Sequence, residues 1–185
     1  MRSLGTGSGV LLAMFCLFTA NVQGKETYGW IEHARVESLD IEAKAKLDSG
    51  ALTSSIHATD IERFERDDEE WVRFTLALEK NDKGEMKTKR LERPLFRDLT
   101  VIGAGGRDTR PVVLLEICFG DTVYEEQFGL ENRDDLTYPL LIGRRTIQHL
   151  GTIDVTKTFL KEPVCDGDSE RLSYEEQDSD EDIGI

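Results

Sequence analysis

Apolar and polar residues alternate along much of this chain with a period of two, the mark of half-buried strands rather than helices. The clearest case is Ile41-Glu-Ala-Lys-Ala-Lys-Leu47, with Ile41, Ala43, Ala45 and Leu47 on one face. Ahead of it, Tyr28-Gly-Trp-Ile31 is apolar and Ala34 to Asp40 alternates, so Lys25 to Asp40 reads as a first strand with a turn. A short strand through Ser54, Ile56 and Ala58 follows Asp48-Ser49-Gly50. Trp71 to Leu78 is rich in β-formers and predicts another strand. Thr109 to Phe119 and Thr122 to Leu130 flank Gly120-Asp121, which is a hairpin signal. Tyr138 to Gly143 reads as a short buried strand, Arg144 to Leu150 as a short helix stopped by Gly151, and Gly151 to Val155 as a closing strand. Four stretches lack a strand pattern. Asp60 to Asp68 reads as a charged loop or turn, and Glu79 to Glu92 as an exposed hairpin turn around Asp82-Lys83-Gly84. Pro94 to Leu99 reads as an edge or loop, and Val101 to Asp108 as a glycine-rich loop. Short strands at regular spacing predict an all-β fold, a closed barrel with one short helix near the C-terminal end of the domain.

Length adds one folded domain with tails, and there is no internal repeat. Arg2, the apolar run Val10 to Ala20 and the polar or small Asn21 to Gly24 have the layout of an export signal over residues 1–24. Val22 and Gly24 stand where cleavage before Lys25 needs small residues, and an uncleaved anchor is the alternative. The expected location is therefore the periplasm or outside the cell, with no membrane contact beyond the export signal. The domain then spans 25–162, and 163–185 is an acidic tail. From Asp166 onward it holds nine acids and one arginine, a run expected to stay solvated and disordered, with a docking role as the alternative. Acids outnumber bases 37 to 23 over the whole chain, which argues against nucleic acid as a partner and disfavours acidic substrates. Without Cys16 in the leader, Cys118 and Cys165 remain. They could pair in an oxidising compartment, or Cys118 could be a buried thiol within its apolar run.

The candidate chemistry centres on Asp48. An apolar strand delivers one carboxylate into the tight turn Asp48-Ser49-Gly50, where nearby hydroxyls and backbone N–H groups can fix its orientation. Asp-Ser-Gly alone is common in turns. Here it is followed, far along the chain, by Leu140-Leu-Ile-Gly-Arg-Arg145 and a short helix.

That combination resembles the retropepsin-like aspartic peptidases. More closely, LDSGALTSSIHA, DIERFERDDEEWVRF, TRPVV and YPLLIGRRTI are similar to a bacterial family labelled ATP-dependent zinc protease and also called RimB-like, a likeness running from about Trp30 to Leu160. The resemblance implies a retropepsin-like barrel with Asp48 as the catalytic carboxylate, Ser49 as its orienting hydroxyl and Gly50 as the turn glycine. Ile142 and Gly143 would pack behind that loop and Arg144 would brace it. Ala51 and Thr53 would meet substrate, as would Gly103, Gly105 and Gly106 in the loop where a retropepsin flap lies. One departure stands out: Leu52 occupies the place where retroviral relatives often carry an aspartate partner for the arginine.

Aspartic peptidases need two carboxylates sharing a proton around one water. Only one D-[ST]-G occurs, because Asp121-Thr122-Val123 lacks the glycine, so the expected enzyme is a homodimer contributing one Asp48 from each subunit to cleave a peptide or protein. No cofactor is expected. ATP use would need GxxxxGK[ST], which is absent, and His33, His57 and His149 show no HExxH spacing for zinc. Ser54 and Ser55 lie outside any GxSxG. The rival readings are a non-catalytic peptide-binding module on the same barrel and the zinc protease of the older label.

Overall fold

The computed structural model describes residues 25–80, 86–103 and 106–177. In chain order these form β1 (Glu26–Gly29), β2 (Ile31–Val36), β3 (Ile41–Leu47), β4 (Ser54–Arg66), β5 (Glu69–Lys80) and β6 (Met86–Pro94). There follow β7 (Arg97–Gly103), β8 (Gly106–Phe119), β9 (Thr122–Glu131), β10 (Leu140–Ile142), α1 (Arg144–Leu150), β11 (Gly151–Asp154) and β12 (Arg171–Leu172). Six strands close on themselves in the order β9, β8, β2, β3, β10, β4 and back to β9. The fold is therefore an all-β closed barrel, and closure leaves those six strands without a free edge. β5 and β6 extend the sheet from β4, β7 pairs with β8, and β1 and β11 form a small parallel pair beside the barrel.

The period-two pattern of β3 does what it promised. Ile41, Ala43, Ala45 and Leu47 are buried, while Glu42 and Lys44 face solvent. Ile41, Ile56, Phe74, Ile117, Phe128, Leu130, Leu140 and Ile142 are fully buried, their apolar surface supplying the main driving force for closure. The β8–β9 hairpin turns at Gly120-Asp121, and the helix runs from Arg144 to Leu150, both as read from the sequence.

Three stretches depart from the sequence reading. Asp60 to Asp68 is not a loop. It continues β4 through a bulge between Thr59 and Glu62 and turns only at Asp67-Asp68, both in the left-handed region. This extension is solvated on both faces, so no apolar alternation marks it. Cross-strand ion pairs stabilise it instead, with Arg63 on Asp98, Arg66 and Arg73 on Glu92, and Arg90 on Glu62. Met86 to Pro94 is likewise a strand, while the turn expected at Asp82-Lys83-Gly84 lies outside the described residues. The glycine-rich stretch is the tip of a hairpin, because β7 and β8 pair all the way to Gly103 opposite Gly106. Gly105 lies outside the described residues, as do the leader 1–24 and residues 178–185.

The segment after β11 runs back along the barrel. Buried Glu32 accepts N–H bonds from Gly29 at 2.5 Å, Leu160 at 3.0 Å and Lys161 at 3.2 Å, which satisfies its carboxylate inside the fold. Cys165 is disulfide-bonded to Cys118, settling in favour of pairing the alternative that the sequence left open. The described part of the tail, as far as Gln177, keeps most of its residues exposed but is tied to the barrel. β12 adds in parallel to β9, and Arg171 lies 2.9 Å from Glu116. Its charge density is offset by a covalent anchor and by a few residues able to dock.

Candidate active site

The geometry around Asp48 follows from where β10 lies. It is inserted between β3, to which it is parallel, and β4, to which it is antiparallel. The chain leaves β3 at Leu47, loops through Asp48 to Thr53, and returns as β4 on the other side of β10. The loop is therefore held from behind. The Asp48 N–H donates to the Ile142 carbonyl at 2.8 Å, the Arg144 N–H to Ala51 O at 2.9 Å and the Arg145 N–H to Leu52 O at 3.2 Å. The first amides of α1, which have no partner within the helix, are thus used on the loop. Gly143 allows this contact, since a Cβ there would lie 2.7 Å from the Leu52 carbonyl oxygen.

Within the loop, Asp48 Oδ1 accepts the Gly50 N–H at 2.9 Å, and Oδ2 lies 3.1 Å from Lys46 Nζ. Burial acts to raise the carboxyl's pKa, but the Lys46 ammonium and the Gly50 N–H outweigh it and hold the group below its ordinary value. Ser49 and Gly50 are exposed at the rim. Arg144 Nη1 donates to the Ser49 carbonyl at 2.6 Å, so the arginine that lacks an aspartate at position 52 grips the turn backbone instead.

The structure brings Asp48, Ser49, Gly50, Ala51 and Thr53 into one loop, with Ile142, Gly143 and Arg144 behind it. A cleft of about 580 Å³ opens beside this loop, lined by Ala51 to Ser55 and, across from them, by Leu99 to Ile102 of β7. Val101 and Ile102 face the cleft, whereas Gly103 and Gly106 sit at the hairpin tip beyond the lining. Sequence reasoning missed the cleft's cations. Among the described residues Arg97, Arg110, Arg133 and Arg145 all line it, against one lining carboxylate, Glu131. Glu131 lies 2.7 Å from Arg110 and 3.1 Å from Arg133. Arg97 and Arg145 are held by neutral groups: both donate to Thr53 Oγ1, at 3.1 and 3.2 Å, and Arg97 also donates to Gln127 Oε1 at 2.8 Å. Burial, then the neighbouring Arg145 charge, lowers the pKa of Arg97. The acidic composition of the whole chain hid this local reversal of sign.

A second feature missed in the sequence lies under the loop. The Gly143 N–H donates to Ser54 Oγ at 3.0 Å, Ser54 bonds Thr146 Oγ1 at 2.8 Å, and Thr146 donates to Glu126 Oε2 at 3.0 Å. His149 Nδ1 meets Glu126 Oε1 at 2.6 Å. These residues come from β4, β9 and α1 with its N-cap, so no local spacing could reveal the whole chain.

The described residues lining the cleft include no histidine or cysteine, so its donors do not suit zinc. His57 is engaged elsewhere: its Nδ1 accepts the Arg133 N–H at 2.9 Å and its Nε2 lies 3.5 Å from Asp134. His33 lies 3.3 Å from Glu42 and 3.2 Å from Glu162, a group that shares no residue with the cleft.

Known proteins resemble this chain over the barrel. The Desulfotalea psychrophila protein named probable alpha-L-glutamate ligase is 35% identical over 133 residues, 70% of this chain and 28% of that one. A Shewanella pealeana protein of the same name is 32% identical over 136 residues, again 28% of its length. The chain thus spans little more than a quarter of these relatives. A crystal structure of a Legionella pneumophila protein of unknown function (DUF785) superposes with a TM-score of 0.63 at 32% identity, covering 74% of this chain and 98% of that one. The model of the family described as RimB-like, retropepsin-like aspartic endopeptidase RimB, matches residues 27–163, and the chain belongs to that family.

Proposed function

We propose that this chain is an aspartic endopeptidase acting as a two-fold homodimer on acidic peptides. The observation that carries the reading is the Asp48 turn, an ionisable carboxylate held by Lys46 and Gly50 at the rim of a cleft, with Ser49 and Gly50 exposed beside it. Among the described residues, no second carboxylate bonds Asp48. A symmetry-related Asp48 supplies one when two such rims meet. Two carboxylates on one water cannot both stay ionised, so one keeps its proton and polarises the scissile carbonyl while the other takes a proton from the water. Lys46 favours the ionised partner. No metal or nucleotide enters this scheme.

Arg97 and Arg145 give the cleft its preference, because half-buried guanidinium groups with no carboxylate partner among the described residues attract carboxylates from substrate. The ligase relatives point the same way. Their name attaches α-linked glutamate to proteins that contain this barrel as a minor part, so a Glu-rich chain is the substrate class proposed here. Export is proposed too, supported by the leader pattern and by the Cys118–Cys165 bond, which suits an oxidising compartment.

The test is Asp48→Asn. On a Glu-rich peptide the variant is expected to lose hydrolysis by several orders of magnitude while keeping the wild-type circular dichroism spectrum and melting temperature. Retained hydrolysis overturns the reading. A wild-type protein that binds the peptide without cleaving it marks the barrel as a binding module instead.

A further inference from the structure

We propose that Tyr174 is a positioning residue for substrate preference, acting through Gln127 to fix the orientation of Arg97 in the cleft. The proposal rests on the reading of that cleft as a site for acidic peptides. Tyr174 lies beyond residue 163, where the family match ends.

Gln127 is buried and committed at both ends. Its Oε1 accepts from Arg97 Nε at 2.8 Å, and its Nε2 donates to the Tyr174 hydroxyl. Each contact fixes the other. Were the amide turned over, its NH₂ would face the guanidinium N–H, donor against donor, and its oxygen would face Tyr174. Arg97, which can only donate, selects the orientation, and the Tyr174 hydroxyl oxygen, by accepting from the amide's other end, holds Gln127 in place with its acceptor toward Arg97. With Nε so held, Arg97 Nη2 reaches Thr53 Oγ1 at 3.1 Å, beside the Asp48 turn. A second route leads to the same place, because the Tyr174 ring packs edge-on against Phe96 at 5.1 Å, the residue preceding Arg97.

The segment bearing Tyr174 is secured at several points. Cys165 is bonded to Cys118, the Val123 N–H donates to Glu170 O at 2.9 Å, and β12 pairs with β9. Beyond it, the Tyr174 N–H donates to Glu125 Oε2 at 3.1 Å and Gln177 Nε2 to Glu125 O at 2.8 Å. Docking this short segment serves the cleft as well as the core, since its one aromatic ring sits on the residue before Arg97 and its hydroxyl sits on the amide that Arg97 bonds.

The experiment compares the full chain with Tyr174→Phe, which keeps the ring and removes the acceptor, on a short Glu-rich peptide and its Gln-for-Glu counterpart. KM and kcat are measured for both peptides. Binding of the Glu-rich peptide to the Asp48→Asn protein, read by fluorescence anisotropy, gives the same contrast without turnover. Tyr174→Phe is expected to raise KM for the Glu-rich peptide roughly three- to tenfold, the worth of one such bond, with kcat and the Gln-rich KM unchanged. In an Arg97→Gln background it is expected to add nothing. Equal weakening of both peptides, or no change with the Glu-rich one, overturns the positioning role alone. A wild-type protein that shows no preference for the Glu-rich peptide overturns the acidic-substrate reading itself, and the role of Tyr174 with it.

Discussion

Lys46 Nζ lies 3.1 Å from Asp48 Oδ2, two residues away along the same chain edge. Both side chains are only partly exposed, so the pair is less screened than an ordinary surface bridge. The consequence is a pH effect with a defined sign. The folded-state pKa of Asp48 lies below its ordinary value, so the stabilisation of its ionised form is present above the unfolded pKa and is lost as pH falls through the folded one. Lys46→Met removes the ammonium, and the acid limb of a plot of kcat/KM against pH is expected to move upward. Stability at neutral pH is expected to fall by less than about 1 kcal/mol, as read by thermal unfolding.

Gly143→Ala tests how tightly the loop is backed. An added Cβ would sit 2.7 Å from Leu52 O and 2.7 Å from the Thr53 carbonyl carbon, both backbone atoms with no rotamer to yield. The loop must move away from α1, stretching the Arg144 and Arg145 N–H bonds to Ala51 and Leu52. The expected cost is about 1–3 kcal/mol, the usual range for overpacking, together with loss of hydrolysis out of proportion to the loss of fold. Urea denaturation and kcat measured on the same preparation separate the two effects.

The buried chain from Gly143 to Glu126 gives a third expectation. Its donors run in one direction, from the Gly143 N–H to Ser54, from Ser54 to Thr146, and from Thr146 to the Glu126 carboxylate. Thr146→Val has the same shape but no hydroxyl, leaving a carboxylate oxygen and the Ser54 hydroxyl unsatisfied inside the protein. A loss of about 1–3 kcal/mol is expected from the urea midpoint, with the m value unchanged. Thr146→Ser keeps the chain of donors and is expected to lose less.

These contacts also show what the sequence could and could not reveal. The barrel was legible wherever one face of a strand is buried, as in β3, because burial imposes a period of two on residue choice. The outer half of β4 was not, since a strand solvated on both faces carries no such signature and is stabilised by Arg–Glu partners far away in sequence. The Asp48 turn was legible as a local motif, with glycine and hydroxyls beside a carboxylate. The arginine cleft was not. Arg97, Arg133 and Arg145 come from separate stretches and meet only because β7, the segment after β9 and α1 converge on one loop. The net charge of −14 is a sum over the whole chain and hides the cationic lining of this cleft.

Arg145 offers a test of the cleft that leaves the Tyr174 arrangement alone. Its guanidinium shares the Thr53 hydroxyl with Arg97, placing two cations against one neutral oxygen. A substrate carboxylate would relieve that crowding, and Arg145→Gln removes half of the attraction. KM for a Glu-rich peptide is expected to rise about tenfold, the weight of one charge-assisted hydrogen bond. Raising salt from low to physiological strength is expected to raise KM for the wild type more than for the variant, because screening acts on what attraction remains. Initial rates over a salt series read both effects.

The proposed sharing of the site between two subunits makes a quantitative demand on mixtures. If each active centre needs one Asp48 from each chain, a dimer containing a single Asp48→Asn subunit lacks the second carboxylate and cannot hold the shared proton. Equal amounts of wild type and Asp48→Asn, allowed to exchange fully, then leave about one quarter of the dimers with both acids, as random pairing of two equal pools requires. Activity per total protein is expected to fall to about a quarter of that of pure wild type, below the half expected if each chain worked alone. The measurement is a titration of Asp48→Asn into a fixed amount of wild type, with dimer exchange verified by subunit labels. A linear dilution with no inhibition places the reaction within one chain and removes the partner subunit from the mechanism.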